Sequence, residues 1–155
     1  MKDVFIHELA DVKTVRIGAR TKIWQFTIIL ENAVIGKNCN INCHCFIEND
    51  VIIGDDVTVK SGNYLWDGLR IGNSVFIGPN VTFINDKYPR SKQYPDEFLP
   101  TIIEDGVSIG AGSTIMGGIV IGRNSMIGAG SLVLTSVREN SLYYGHPAKY
   151  IKLIK

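Results

Sequence analysis

The sequence predicts an all-β fold, a parallel β-helix, and three observations predict it. An apolar residue stands at every sixth position: Ile17, Ile23, Ile29, Ile35, Ile41, Ile47, Ile53, Val59, Leu65, Ile71, Ile77 and Phe83. The series resumes, shifted by two, at Ile103, Ile109, Ile115, Ile121, Ile127 and Val133. A glycine follows the aliphatic position again and again, at Gly18, Gly36, Gly54, Gly72, Gly78, Gly110, Gly122 and Gly128. A period of six fits neither an amphipathic helix, at about 3.6, nor a half-buried strand, at about 2. Short strands and turns wound round a prism reproduce it, with each unit burying its apolar face on its neighbours. Three hexapeptides make one coil, so residues eighteen apart stack. A β-sandwich has no reason to hold phase over so many repeats.

Each element follows from that count. Residues 1–16 precede the repeat and are expected to cap its edge, with His7 a surface histidine. Coils start at Ile17, Ile35, Ile53 and Ile71, and two more at Ile103 and Ile121, giving about six over residues 17–138. The fourth residue after each aliphatic is small or β-branched (Cys39, Cys45, Val51, Val57, Val75, Val81, Ser113, Ser125, Ser131), a second inward column. The missing phase between Phe83 and Ile103 predicts a loop ejected near 84–102, rich in proline, charge and tyrosine. Long loops on a regular scaffold commonly carry function. Residues 139–155 are expected to close the open end, and Ile151, Leu153 and Ile154 are compatible with a short packed helix.

Size and charge narrow the classes. At 155 residues the chain is expected to be one domain, 1–155, and its net charge of +1 argues for neither nucleic acid nor an anionic membrane surface. No apolar run approaches the ~20 residues of a bilayer span, and the start lacks the apolar core of a signal peptide. A cytoplasmic protein is expected. Cys39, Cys43 and Cys45 lie together, but two face inward and one outward, so no metal site is predicted.

Two constellations point to chemistry. Gly110-Ala111-Gly112-Ser113 recurs one coil on as Gly128-Ala129-Gly130-Ser131. Stacked, they form a wall nearly bare of side chains, where an extended ligand can reach backbone N–H groups. Glu31, Asn49, Asp67 and Asn85 form one outward column, beside Asn32, Asp50, Gly68 and Asp86, with Trp66 adjacent. Asx residues favour turns for their own reasons, yet an acidic corner beside a tryptophan also suits a cationic, ring-shaped acceptor.

The hexapeptide pattern, the paired wall and the tail Gly145-His146-Pro147-Ala148-Lys149 resemble the hexapeptide-repeat acyltransferases, from Ile17 onward. The tail is similar to the family's Gly-Asn-Pro-Ala-Lys motif, with His146 in place of asparagine. Ser61-Gly62-Asn63-Tyr64-Leu65-Trp66-Asp67-Gly68 and Phe83-Ile84-Asn85-Asp86-Lys87-Tyr88-Pro89-Arg90-Ser91 resemble the enzymes that N-acetylate dTDP-linked 3-amino-3,6-dideoxyhexoses for O-antigen and S-layer glycans. The resemblance implies a left-handed β-helix, acetyl-CoA as co-substrate, no metal, and a homotrimer with sites between subunits. It implies cofactor contacts from Gly110, Ala111, Gly112, Gly128, Ala129, Gly130, Pro147 and Lys149, with Arg138 and Lys152 as further cations.

Acyl transfer needs an uncharged nucleophile and a donor for the oxyanion. Asn85 and Asp86 are the expected catalytic pair, Asp86 taking the amine's proton, with a backbone N–H of the wall on the oxyanion. His44 is the remaining candidate base. Trp66 and Asp67 are expected to hold the sugar, and Tyr88, Arg90 and Lys92 the diphosphate. Alternatives are a UDP-linked amino sugar as acceptor, a sugar O-acetyltransferase, which the lack of a histidine at the loop weighs against, and a non-catalytic structural β-helix. A γ-type carbonic anhydrase would need three zinc histidines, and His7, His44 and His146 are scattered.

Overall fold

The computed structural model describes residues 3–154. Strands two to three residues long, except for the two at the C-terminal end, line up in three sheets of nine, seven and five strands, the three faces of a prism. The first face includes Lys22–Ile23, Asn40–Ile41, Thr58–Val59 and Phe76–Ile77. The second includes Ile28–Ile29, Phe46–Ile47, Tyr64–Leu65 and Thr82–Phe83, and the third Val34–Ile35, Ile52–Ile53 and Leu69–Ile71. Pairing between coils is parallel, with Ile23 over Ile41 and Ile41 over Val59, the predicted eighteen-residue register.

The core is the two predicted columns. Ile23, Ile29, Ile41, Ile47, Val59, Leu65, Ile77, Ile103, Ile109, Ile115 and Ile121 are wholly excluded from solvent. Beside them the second column is equally buried, and its polar members bond backbone carbonyls, several of them in the next coil. Thr21 Oγ1 donates to Gly36 O at 2.8 Å, Thr27 Oγ1 to Asn42 O at 2.9 Å and Asn63 Nδ2 to Gly78 O at 2.9 Å. A hydroxyl or amide is tolerated there because it is satisfied.

Glycine after the aliphatic has a steric cause. A Cβ at Gly36 would fall on the backbone of Gly54, and one at Gly110 on the backbone of Ala129. Coils approach too closely at that point for any side chain.

The ejected loop leaves between Thr82–Phe83 and Thr101–Ile103, and the ladder closes beneath it. Phe83 pairs with Ile115 and Ile71 with Ile103, a step of 32 in place of 18 on both flanking faces. Two terminal expectations change. Residues 5–12 belong to a further short coil, since Phe5–Ile6 pairs with Lys22–Ile23 and Asp11–Val12 with Ile28–Ile29. Its step is seventeen residues, which hides it from a strict count. The tail is not a helix: Ser141–Gly145 continues the first face from Met126–Ile127 and folds back antiparallel on Ala148–Leu153. Ile151 and Leu153 stay exposed there, because a continued ladder satisfies backbone groups that a helix at this end would leave facing the open sheet edge.

Ile41→Ala is expected to lower the unfolding free energy by about 2–5 kcal/mol, the cost of a cavity in a column that cannot collapse. Urea unfolding followed by circular dichroism measures it, and a loss under 1 kcal/mol would contradict the packing described here.

Candidate functional site

Three edges join the three faces, and each stacks its turn residues in columns. On the edge from third to first face, Asx side chains fill the turns: Asp55 Oδ1 accepts from Lys37 N at 2.7 Å, Asn73 Oδ1 from Asp55 N at 2.8 Å and Asp105 Oδ1 from Asn73 N at 2.7 Å. These carboxylates and amides are structural.

The edge from first to second face differs. Its columns carry Gln25, Cys43, Ser61, Pro79, Ala111 and Ala129, then Phe26, His44, Gly62, Asn80, Gly112 and Gly130. Gly112 and Gly130 take φ of +65° and +67°, and a Cβ on either would meet nothing within 4 Å. Both glycines therefore answer to the turn, as do the positive-φ His44 and Asn80 in other coils. Alanine is what distinguishes the wall. Ala111 and Ala129 are exposed, and with no Asx neighbour their N–H groups meet no acceptor among the described residues. Two stacked donors thus face an open, side-chain-free surface. Its upper limit is Tyr144, whose Cβ lies 2.6 Å from where a Gly128 Cβ would be, and Tyr144 pairs across the terminal hairpin with Lys149. The tail thus lies against the last coil of the wall. Pro147 forms the hairpin turn, joined to His146 by a cis bond, and Arg138 lies over the Tyr150 ring at 5.6 Å.

The edge from second to third face carries the acidic column and the loop. Glu48, Trp66, Asp67, Asn85, Asp86 and Arg90 line a cavity of about 450 Å³, closed on the loop side by Pro89, Gln93, Tyr94 and Phe98. Trp66 is braced by Phe46 and Tyr64, ring centres 5.9 Å away in each case. Asp67 Oδ1 accepts from Asp50 N at 2.6 Å, and Asp86 Oδ1 from Tyr88 N at 2.8 Å. Each carboxylate thus has one oxygen committed to the backbone and one with no hydrogen bond among the described residues. Asn85 Nδ2 reaches Asp67 O at 3.4 Å. Tyr88 lines a second hollow with Lys87, Leu99 and Gly117, which shares Asn85 and Asp86 with the first.

Sequence reasoning passed over Glu48. Its Oε2 accepts from Asp67 N at 2.7 Å, and burial, with Asp67 adding to it, pushes its carboxyl above the usual range against that hydrogen bond. The signal was present, since Glu48 stands eighteen residues before Trp66. His44 lies on the first edge, stacked on Phe26 at 5.0 Å, and not at the acidic cavity. Among the described residues no group of three His, Cys, Asp or Glu is placed to hold a metal, and no helix is long and apolar enough to cross a membrane.

Wall and acidic cavity stand on different edges. Ala111 follows the first face and Asn85 the second, so the whole second face separates them. One chain does not bring the two together.

A prism of hexapeptide coils, with a bare donor wall at one edge and an acidic cavity under an ejected loop at another, defines a hexapeptide-repeat transferase. The chain belongs to that family, and residues 14–49 and 100–135 match the bacterial transferase hexapeptide (six repeats) family. A dTDP-3-amino-3,6-dideoxy-alpha-D-galactopyranose 3-N-acetyltransferase of Aneurinibacillus thermoaerophilus is 55% identical over 145 residues, 94% of this chain and 76% of that protein. A galactoside O-acetyltransferase of Lactococcus lactis is 32% identical over 119 residues, 72% of this chain and 51% of that one. Two solved structures share the fold. A hexapeptide-repeat acetyltransferase from Vibrio cholerae superposes with a TM-score of 0.62 at 22% identity, over 99% of this chain and 75% of that one. An N-acyltransferase from Bacillus cereus, in complex with dTDP and coenzyme A, gives 0.60 at 22% identity, over 99% and 83%.

Glu48 supplies a pH test. A carboxyl whose folded pKa exceeds its unfolded value of 4.5 binds more protons in the folded state. Its contribution therefore favours folding at low pH and is withdrawn as pH rises through the raised value. Glu48→Gln, which keeps an acceptor for Asp67 N, is expected to flatten the loss of melting temperature between acid and neutral pH. An unchanged slope would count against the burial of this carboxyl.

Proposed function

We propose that the protein transfers the acetyl group of acetyl-CoA to the 3-amino group of a dTDP-linked 3-amino-3,6-dideoxyhexose, as a cytoplasmic homotrimer with its sites between subunits. The observation that carries the reading is the pairing of stacked Ala111 and Ala129 donors with an acidic, tryptophan-lined cavity in a chain 55% identical to an enzyme of that name. The donor wall suits the amide carbonyls of a pantetheine arm, and Lys149 a phosphate at its far end. The separation of wall and cavity supports assembly: a second copy must lay its own wall against the loop of the first. Cyclic homo-oligomers are the ordinary way to make such a heterologous contact.

In this reading the amine enters as an ammonium held by Asp67 and Asp86. The oxygen of Asp86 not committed to Tyr88 takes a proton, and Asn85 orients the nitrogen. The nitrogen lone pair then forms a bond to the thioester carbonyl carbon, and a wall N–H holds the oxyanion. Collapse breaks the carbon–sulfur bond, and the departing thiolate takes the nitrogen's second proton and leaves as the coenzyme A thiol, while Asp86 returns its proton to solvent. A sugar hydroxyl would need a stronger base than these carboxylates, and no histidine lines the cavity.

Released thiol measured with dTDP-3-amino-3,6-dideoxygalactose, its gluco epimer, a UDP-linked 3-amino sugar and a hydroxyl acceptor tests the reaction. Turnover with a dTDP-linked amine is expected, and Asp86→Asn should lower it by about 10²–10⁴-fold. No turnover with any amine would end the proposal.

The assembly has its own test. Ala111→Phe should block the wall and raise the KM for acetyl-CoA, and neither it nor Asp86→Asn alone should be active. Mixed trimers refolded from equal amounts of the two variants should regain about a quarter of the wild-type sites, because each site draws its wall from one copy and its carboxylate from the next. No recovery on mixing would mean that each chain builds its own site.

A further inference from the structure

The edge that carries the donor wall continues below it, toward the start of the repeat, into a cavity with no part in the reaction as derived so far. It has a volume of about 320 Å³ and is lined by Trp24, Gln25, Asn40, Asn42, Cys43 and Ser61. No charged side chain is among them. Trp24 is part-exposed and flanked by Phe5, ring centres 5.3 Å apart, and its Nε1 donates to Asn40 Oδ1 at 2.8 Å. That bond sets the orientation of one carboxamide. The side-chain amides of Gln25 and Asn42 make no hydrogen bond among the described residues, and both residues are part-buried.

The backbone continues the same theme. The N–H groups of Ser61, Cys43 and Gln25 occupy the positions of Ala111 and Ala129 in lower coils and likewise meet no acceptor among the described residues. Pro79, which has no N–H, stands between the two sets. The edge thus offers donors above Pro79 and donors below it, with a gap at the level where the loop leaves the prism. Three coil steps separate Cys43 from Ala111, about 14 Å at the spacing of paired strands.

We propose that this cavity binds the nucleobase of the acceptor nucleotide. The inference rests on the function proposed above, whose acceptor is a nucleotide-linked sugar. The chemistry fits a nucleobase. An exposed indole offers a face on which a base stacks. Primary carboxamides present a donor and an acceptor side by side, the complement of the imide edge of a pyrimidine or of N6 and N7 of adenine. The lack of charge fits a neutral ring. The donors of Ser61 and Cys43 lie between base and gap, where the acceptor's diphosphate would pass on its way to the amine. Adenine of coenzyme A shares this edge chemistry but is expected at the opposite, Lys149 end.

Isothermal titration of the intact protein with dTDP and, separately, with coenzyme A tests this, using wild type, Asn42→Leu, Gln25→Leu and Trp24→Ala. Trp24→Phe serves as the variant that keeps a stacking face, and thermal melting confirms that each is folded. Asn42→Leu and Trp24→Ala are expected to weaken dTDP about tenfold or more, Trp24→Phe much less, with coenzyme A binding unchanged. Wild-type binding of dTDP that survives all the substitutions would overturn the cavity's role and leave the nucleotide-sugar reading intact. Loss of coenzyme A binding instead would assign the cavity to adenine and overturn it also. Binding of coenzyme A by the wild type with none of dTDP would sink the nucleotide-sugar reading and this inference together.

Discussion

Everything in this molecule depends on register between coils. Parallel backbone bonds hold Ile23 over Ile41 and Ile41 over Val59, and a slip of one residue would turn every aliphatic outward. The same register fixes where glycine is needed, since the neighbouring coil leaves no space for a Cβ at Gly36 or Gly110. It also explains why a fourteen-residue insertion is harmless. The extra chain leaves at an edge, where no ladder bond is broken, and Phe83 finds Ile115 as readily as Leu65 finds Ile47.

Because the coils repeat, the three edges begin as equivalent columns of turns, and side chains make them different. Asp55, Asn73 and Asp105 close the N–H groups of one edge. On another, Ala111 and Ala129 leave the same groups open. The wall is a place where the structural Asx ladder is absent. The remaining edge holds carboxylates with divided duties, in which Asp67 both ties Asp50 to its own coil and faces the cavity.

The hexad count made the fold legible because a solenoid writes its geometry directly into spacing. It failed where spacing changed. Ile6 and Val12 pair with Ile23 and Ile29 at a step of seventeen, and Ile151 with Leu153 read as a helix although they lie on a returning strand. The wall and the acidic column were legible for the same reason as the fold, since stacking by eighteen identifies neighbours. Harder to see was that they occupy different edges. The phase within the coil carries that information, with Ala111 two residues past the first face and Asn85 two past the second, but only once the faces have been told apart. The structural half of Asp67's role was not legible, because an Asx side chain that caps a turn and one that meets a ligand look alike in sequence.

Charge in the acidic cavity bears on what it can accept. Glu48, Asp67 and Asp86 converge on one space, and Arg90 is the sole cation lining it. Burial, together with the neighbouring Asp67, disfavours ionisation of Glu48, so a cation entering the cavity meets a repulsion it can relieve. An ammonium relieves it by favouring all three carboxylates in their charged form, whereas a neutral hydroxyl leaves it as it was. The relief is lost when the amine is deprotonated for attack, unless a carboxylate takes the proton in the same event. Asp86, with one oxygen held by Tyr88 N and the other uncommitted, is placed to do so. The crowding of acids around Trp66 therefore favours an amine twice: it attracts the charged form, and it keeps a carboxylate oxygen at hand when the nitrogen must give up a proton.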